Sequence, residues 1–390
     1  PVGPLAVVWV AMPQLRAVLP YAAPMLSMAP DDVDPEPAGP PAPPPIDWSA
    51  RLAQAATLSK DELLAAYLGA GQEANGVENR TAALGHFRAA WNIAKDLPEG
   101  DLRRIDVLEG LAFATDSDQE QGQALNQIIA ELAGPQGTAR ARVASAKEQL
   151  SYTDLPAAQR VELLRDAVAL RTGGTSARDP GLFHTQLSLA QALDETGDAA
   201  GSEAMLRLRI SGLPTPDDSN RSHNALQDRV QQAMARIDLA WFLIDHARAT
   251  DALEVAAQAQ QRVPAKVTVS WIHPQQKALE ALIWAQLLSP PSPALAGGWT
   301  SYDDAVRSNI AGSRKMLIHE TDRALVAKAL RDTGMQAKAT SGVQEALAAL
   351  SQRPAMLCQP PMAGSRPNWH RLQREGRRNM LTELGVCAPA

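Results

Sequence analysis

The sequence predicts an all-α protein, an array of about seven helix pairs, and three observations point there. Alanine fills 70 of 390 positions while Phe, Trp and Tyr together make up 4%, whereas strands favour β-branched and aromatic residues. From Trp48 onward apolar residues recur at helical spacing, as at Leu187, Leu189, Ala190 and Leu193, and no stretch alternates for long. Gly, Pro and Asn-Gly clusters punctuate these segments at short intervals. The apolar fraction of 45% excludes disorder over most of the length.

The head of the chain is set apart by its prolines: residues 1–45 hold 13 of the 29. Residues 1–28 are apolar, but Arg16 stands among Pro13, Pro20 and Pro24, so a clean membrane span is not expected. This stretch reads as a signal-like segment, an interfacial anchor giving membrane association, or an apolar arm docked on the body. Residues 29–47 read as a Pro-rich, semi-rigid spacer in polyproline II, kept solvated by Asp31, Asp32, Asp34 and Glu36.

Residues 48–354 carry the repeats. In 187–214, Leu189 and Ala190 are followed by Leu193, Gly197, Ser202, Leu206 and Pro214; in 237–264, Leu239 and Ala240 are followed by Leu243, Ala247, Ala252, Ala256 and Pro264 at the same offsets. Leu111, Ala112, Ala124 and Ile128 keep this spacing, as do Val326, Ala327, Leu330, Gly334, Ala339 and Val343. Small residues at the recurring positions let helices approach closely, and large ones fill between them. Weaker pairs fall at 48–97, 137–171 and 273–317; in the first, GAGQEANGVENR is expected to lengthen the turn. The spacing resembles the tetratricopeptide repeat, a 34-residue helix–turn–helix unit. That resemblance implies a right-handed α-solenoid of about seven pairs, several degenerate, and it is nearly silent on function.

Residues 355–390 read as a basic cap. Arg366, Arg371, Arg374, Arg377 and Arg378 stand against Glu375, beside Trp369. They suit either a capping helix that complements an acidic array or a patch for an acidic partner. The two cysteines, Cys358 and Cys387, flank this segment. A disulfide between them would staple it and imply an oxidising compartment; two free thiols in a cytosolic protein is the alternative.

No pattern in the sequence argues for catalysis. No Gly-Lys-Ser/Thr occurs, and Gly69, Gly71 and Gly76 do not match the dinucleotide fingerprint and are expected in a turn. The seven histidines are scattered; His319-Glu320 begins like a zincin motif, but Arg323 stands where its second His would. Asp217–Asp218 and Asp303–Asp304 suit loops or helix starts. The acceptor triplets at Asn79 and Asn220 read as loop residues. No metal and no cofactor is expected, and a net charge of −6 argues against a nucleic-acid partner.

The tetratricopeptide resemblance implies a concave groove lined by the first helix of each pair. Carried over by spacing, its groove residues are Asp106, Glu109 and Phe113; His184, Gln191 and Asp194; Met234, Trp241 and Asp245; and Thr321, Lys328 and Arg331. The groove is then acidic toward the N-terminal side and basic toward the C-terminal side, with Trp241 the sharpest hot-spot candidate, core filling being its alternative. The expected function is a non-catalytic scaffold of the cell envelope, periplasmic or membrane-associated, holding a protein or peptide partner. The alternatives are a helical accessory module of an enzyme or polysaccharide/export complex, an extracytoplasmic sensory domain of a membrane-anchored regulator, and a cytosolic adaptor.

Overall fold

The computed structural model describes residues 26–27, 46–132, 138–172, 180–214, 223–263, 268–269, 274–290, 294–307, 313–350, 358 and 370–387. The anchor and spacer expectations for residues 1–45 lie outside these, apart from Leu26–Ser27, as do Trp369, Arg366, Asp217, Asp218 and Asn220. Among the described residues no helix is long and apolar enough to cross a membrane.

Among the described residues a short helix α1 (Trp48–Leu52) precedes seven helix pairs. These are α2 (Lys60–Gly76) with α3 (Arg80–Ala94), α4 (Leu102–Ala114) with α5 (Asp118–Glu131), and α6 (Thr138–Leu150) with α7 (Ala157–Thr172). They continue as α8 (Pro180–Glu195) with α9 (Ala199–Gly212), and α10 (His223–Asp245) with α11 (Ala249–Arg262). The last are α12 (Pro274–Leu287) with α13 (Ala294–Arg307), and α14 (Ser313–Leu330) with α15 (Thr333–Ala348), after which comes a single helix α16 (Arg371–Glu383). The only strands among the described residues are β1 (Leu26–Ser27) and β2 (Thr268–Val269), paired antiparallel. The fold is an all-α solenoid of tetratricopeptide-like helix pairs, and each degenerate segment contributes a pair.

The chain divides into two compact units at Ser202/Glu203. Unit 1 holds α1 to α8 and the start of α9; unit 2 holds the rest of α9 and α10 to α16. Within unit 1, one core joins Ile105 and Leu108 of α4 to Leu125 and Ile128 of α5 and Val143 and Leu150 of α6. Within unit 2, Leu279 and Ile283 of α12, Leu295, Trp299 and Tyr302 of α13 and Val326 of α14 do the same. Each core is thus shared by a pair and the first helix of the next, the stacking on which repeat proteins depend.

Helix starts follow local chemistry. Ser59 and Glu62 form a capping box on α2, and Ser117 and Asp332 cap α5 and α15. Asn79 of the first acceptor triplet caps α3, its Oδ1 accepting from the Ala82 N–H at 3.2 Å.

Helix ends repeat as closely as the sequence does. The helices α2, α8, α10 and α14 each stop at a left-handed residue: Glu78 (φ 60°), Gly197 (φ 85°), Ala247 (φ 58°) and Arg331 (φ 56°). After each, the next N–H reaches back to a carbonyl five residues earlier: Asn79 to Ala74, Asp198 to Leu193, Arg248 to Leu243 and Asp332 to Ala327, at 2.8–2.9 Å. This is the Schellman closure.

One turn expectation is corrected. The stretch expected as a long turn after α2 is mostly helix: Gly69 and Gly71 lie inside α2, where a Cβ on Gly71 would come within 2.7 Å of the Phe87 ring. Close approach of an aromatic explains that glycine. Arg331 takes the left-handed position after α14, and Gly334 lies in the first turn of α15.

Only glycine adopts the left-handed region without steric cost, so Ala247→Gly should stabilise and Gly197→Ala should destabilise the fold, each by about 1 kcal/mol. Urea unfolding of the two variants checks both signs.

Candidate functional site

The inner face of unit 2 is formed by the first helices of its pairs, and α16 lies against it. Three carboxylates on three different helices define the contact. Asp245, the last residue of α10, accepts from the Arg371 N–H (Oδ2, 3.0 Å) and the Leu372 N–H (Oδ1, 3.0 Å). The N-terminus of α16 is therefore capped from 126 residues away, and the residue in its own cap position, His370, is left-handed (φ 77°) and offers no side-chain cap. A carboxylate at this end also meets the positive end of the helix dipole.

Further along α16, Arg377 sits between Glu280 of α12 and Asp322 of α14. Its Nε donates to Asp322 Oδ1 at 2.7 Å, and one terminal nitrogen reaches Asp322 Oδ2 at 2.5 Å and Glu280 Oε1 at 2.9 Å. Gln373 donates to the same Glu280 oxygen at 2.7 Å, and the guanidinium lies 5.8 Å from the centre of the Trp284 ring. Gly376 lets the helix press against that ring: a Cβ there would stand 2.8 Å from it. One turn further on, the same side of α16 is apolar. Met380 meets Ala324 and Ala339, and Leu381 meets Leu317 of α14 and Val343 and Ala346 of α15. Beyond the helix, Cys387 is bonded to Cys358, with Cα atoms 5.4 Å apart, and both sulfurs' residues pack in the same apolar cluster.

Burial pushes the Glu280 carboxyl up, but Lys277, Arg377 and the hydrogen bonds it accepts outweigh this and hold it well below the usual carboxylate range. Asp322 goes the other way: burial and the nearby Glu280 charge raise it against the pull of Arg377. Arg377, facing two acids, is held firmly charged despite its burial. Burial lowers His370 to about 3, so its ring is neutral where it lies, 4.1 Å from the Trp241 ring centre.

Several expected groove residues are corrected by this arrangement. Met234, Trp241 and Thr321 are enclosed, at 6%, 1% and 1% exposure, so Trp241 fills the interior beside His370 and does not stand on an open face. Asp245 is on the inner face, but it is spent on α16. Lys328 pairs with Glu383 at 2.7 Å in an exposed bridge of small energetic value, and Arg331 is the turn residue after α14. The C-terminal part of the inner face, expected to be basic, is acidic beneath a basic helix.

In unit 1, Asp106 and Glu109 of α4 both bind Arg142 of α6, at 2.5 and 2.8 Å, so one of these two negative charges is offset. Phe113, Gln191 and Asp194 are partly exposed. His184 bonds the buried Glu148, which also accepts from Thr185 Oγ1 at 2.8 Å. Burial pushes Glu148 up, and His184 and Arg171 more than offset this, holding it low. Tyr152 OH and Ser188 Oγ, 2.6 Å apart, extend this polar network through α6 and α8. In unit 2, His319 bonds Asp303 of α13 at 2.8 Å and stacks on Trp299. Asp303 is thus an interior partner inside a helix, not a loop acid. An open cleft of about 520 Å³ runs between α5 and α7, with Leu150, Leu155 and Leu163 below and Asn126, Gln159 and Asp166 at its rim. Among the described residues no group of three or more His, Cys, Asp or Glu side chains could hold a metal ion.

Glu280, Asp322, Gln373 and Gly376 carry the contact and none was a sequence candidate. The one available signal was the arginine excess of the tail, which called for acids elsewhere in the chain.

No protein-family model matches the chain, and no curated protein matches it. Among solved structures it is similar to the apo form of the quorum sensor NprR from B. thuringiensis, at 9% identity and a TM-score of 0.42, over 86% of this chain and 91% of that one.

Removing one member of a buried ion network leaves the others unpaired. Arg377→Gln should therefore cost about 3–5 kcal/mol in urea unfolding, more than the loss of any exposed bridge. A second expectation concerns pH. His370 has a folded value lowered to about 3 from 6.5, so the unfolded chain takes up its proton first. The stability this gives is complete above pH 6.5 and is lost as pH falls toward 3. Glu280 acts in the same sense, while Asp245 and Asp322, both raised, act against it. The His370→Asn variant isolates the imidazole: between pH 7 and pH 4 its Tm should fall less than that of the parent.

Proposed function

We propose that the chain is a non-catalytic helical-repeat adaptor of the cell envelope that holds a segment of another protein along its inner faces. The observation that carries this reading is the seating of α16: one helix held across α10, α12 and α14 by a cap, a shared arginine and an apolar stripe. Helix-in-groove recognition is a general mode of peptide binding, and unit 2 practises it on its own chain. Unit 1 supplies the corresponding surface for a partner, with Phe113, one turn after the Glu109 of the Arg142 bridge, and Gln191 both partly exposed. The Cys358–Cys387 bond supports an oxidising location, since such bonds persist outside reducing compartments.

A photo-crosslinking residue placed at Phe113 or Gln191 of the full chain, in its source cells, should give a protein adduct. The same residue at Val77, exposed on the turn after α2, should not. Equal yields from all three positions, or none from any, would overturn the reading. Titration of two reactive thiols in chain isolated without reductant would overturn the envelope location.

A further inference from the structure

We infer that the inner face of α10, α12 and α14 is a docking site for an arginine-bearing amphipathic helix of a partner protein, and that α16 is the chain's own displaceable occupant of it. The inference rests on the adaptor reading and names the partner's chemistry.

Four features of α16 distinguish it from a permanent part of the core. Beside the Trp241 and Trp284 rings, its contact with α10 and α12 is made by polar groups: backbone N–H groups on Asp245, and Gln373 and Arg377 on Glu280. Separating such surfaces returns carboxylates and a guanidinium to water, so opening costs less than opening an apolar seam of the same size. The helix also does not cap itself, since Asp245 does that and His370 does not. At 13 residues with a glycine inside it, α16 falls near the length at which isolated helices are marginal in water. It is helical because it is docked. Gly376 is a fitted residue, leaving the space that the Trp284 ring occupies.

Finally, α16 is tied to the body at its far end by the bond from Cys387 to Cys358, which packs with Met316, Leu347 and Leu350. The tie adds a second tether to the backbone that already joins α15 to α16, and so raises the effective concentration of α16 over any competitor. A dithiol reductant removes it: one thiolate attacks the bond, the second displaces the mixed disulfide, and two electrons and two protons pass to Cys358 and Cys387 as the reductant closes its own disulfide. The helix that then competes must offer what α16 offers. That is a polar residue, an arginine four positions on, and apolar residues three and four positions beyond it, as in Gln373, Arg377, Met380 and Leu381.

The test uses the full purified chain and a fluorescein-labelled synthetic peptide with the sequence of residues 370–386, which lacks Cys387. Fluorescence anisotropy should show no saturable binding to the oxidised chain. Binding at least about tenfold tighter should appear after dithiothreitol, and also in an oxidised Gly376→Ala chain, whose own α16 gains helix propensity but collides with Trp284. A peptide carrying Arg377→Glu should bind the reduced chain about tenfold or more weakly. Absence of peptide binding to the reduced chain overturns the inference, and that arm decides alone if the Gly376→Ala chain does not fold. A reduced chain that dimerises and excludes the peptide overturns it too, assigning the site to a second copy. Peptide binding together with an absence of adducts from Phe113 and Gln191 would instead sink the adaptor reading of unit 1 and leave this site standing.

Discussion

Helices that meet through Ala83, Ala90, Ala112, Ala252, Ala256, Ala278, Ala324 and Ala339, nearly all of them without exposed surface, approach more closely than helices lined with leucine. Close packing at these points fixes the offset from one pair to the next. It also determines where the outward-turned residues of successive first helices come together. Glu280 and Asp322 lie 42 positions apart in the sequence and still grip one guanidinium, because α12 and α14 are stacked in register. Enlarging one alanine would displace a whole helix, and with it one wall of the arginine's pocket.

The polar contacts of α16 then build on this frame. They are specific because they are sparse: one cap, one shared arginine, one glutamine and one glycine notch. Much of the interface energy comes from the apolar stripe of Met380, Leu381 and Leu384, which would fit many partners. Orientation comes from the charges, and a helix entering in reverse would place its arginine away from Glu280. The disulfide joins the apolar cluster and holds the far end of the occupant in place.

The repeat architecture was legible in the sequence because small residues at fixed offsets are a local signal, and even the degenerate segments kept enough of it to form pairs. Gly69 and Gly71 were misread because a glycine that admits an aromatic ring looks, in sequence, like one that makes a turn. Trp241 shows where the spacing argument stops. Its position on the first helix of a pair was right, but what covers that helix comes from more than a hundred residues away. The pairing of Arg377 with Glu280 and Asp322 spans 97 and 55 residues, and no periodicity reports such a meeting. Composition gave the only hint, an arginine-rich tail on a chain of negative net charge.

The cap that Asp245 provides has a consequence for synthesis. Arg371 follows Asp245 by 126 residues, and at 5–20 residues per second the ribosome delivers it roughly 6–25 s later. Through that interval the nascent chain carries the Asp245 carboxylate with no helix to cap, and the inner wall of unit 2 is exposed as each of its helices emerges. A newly made chain therefore passes through a stage in which its groove is complete before its occupant exists.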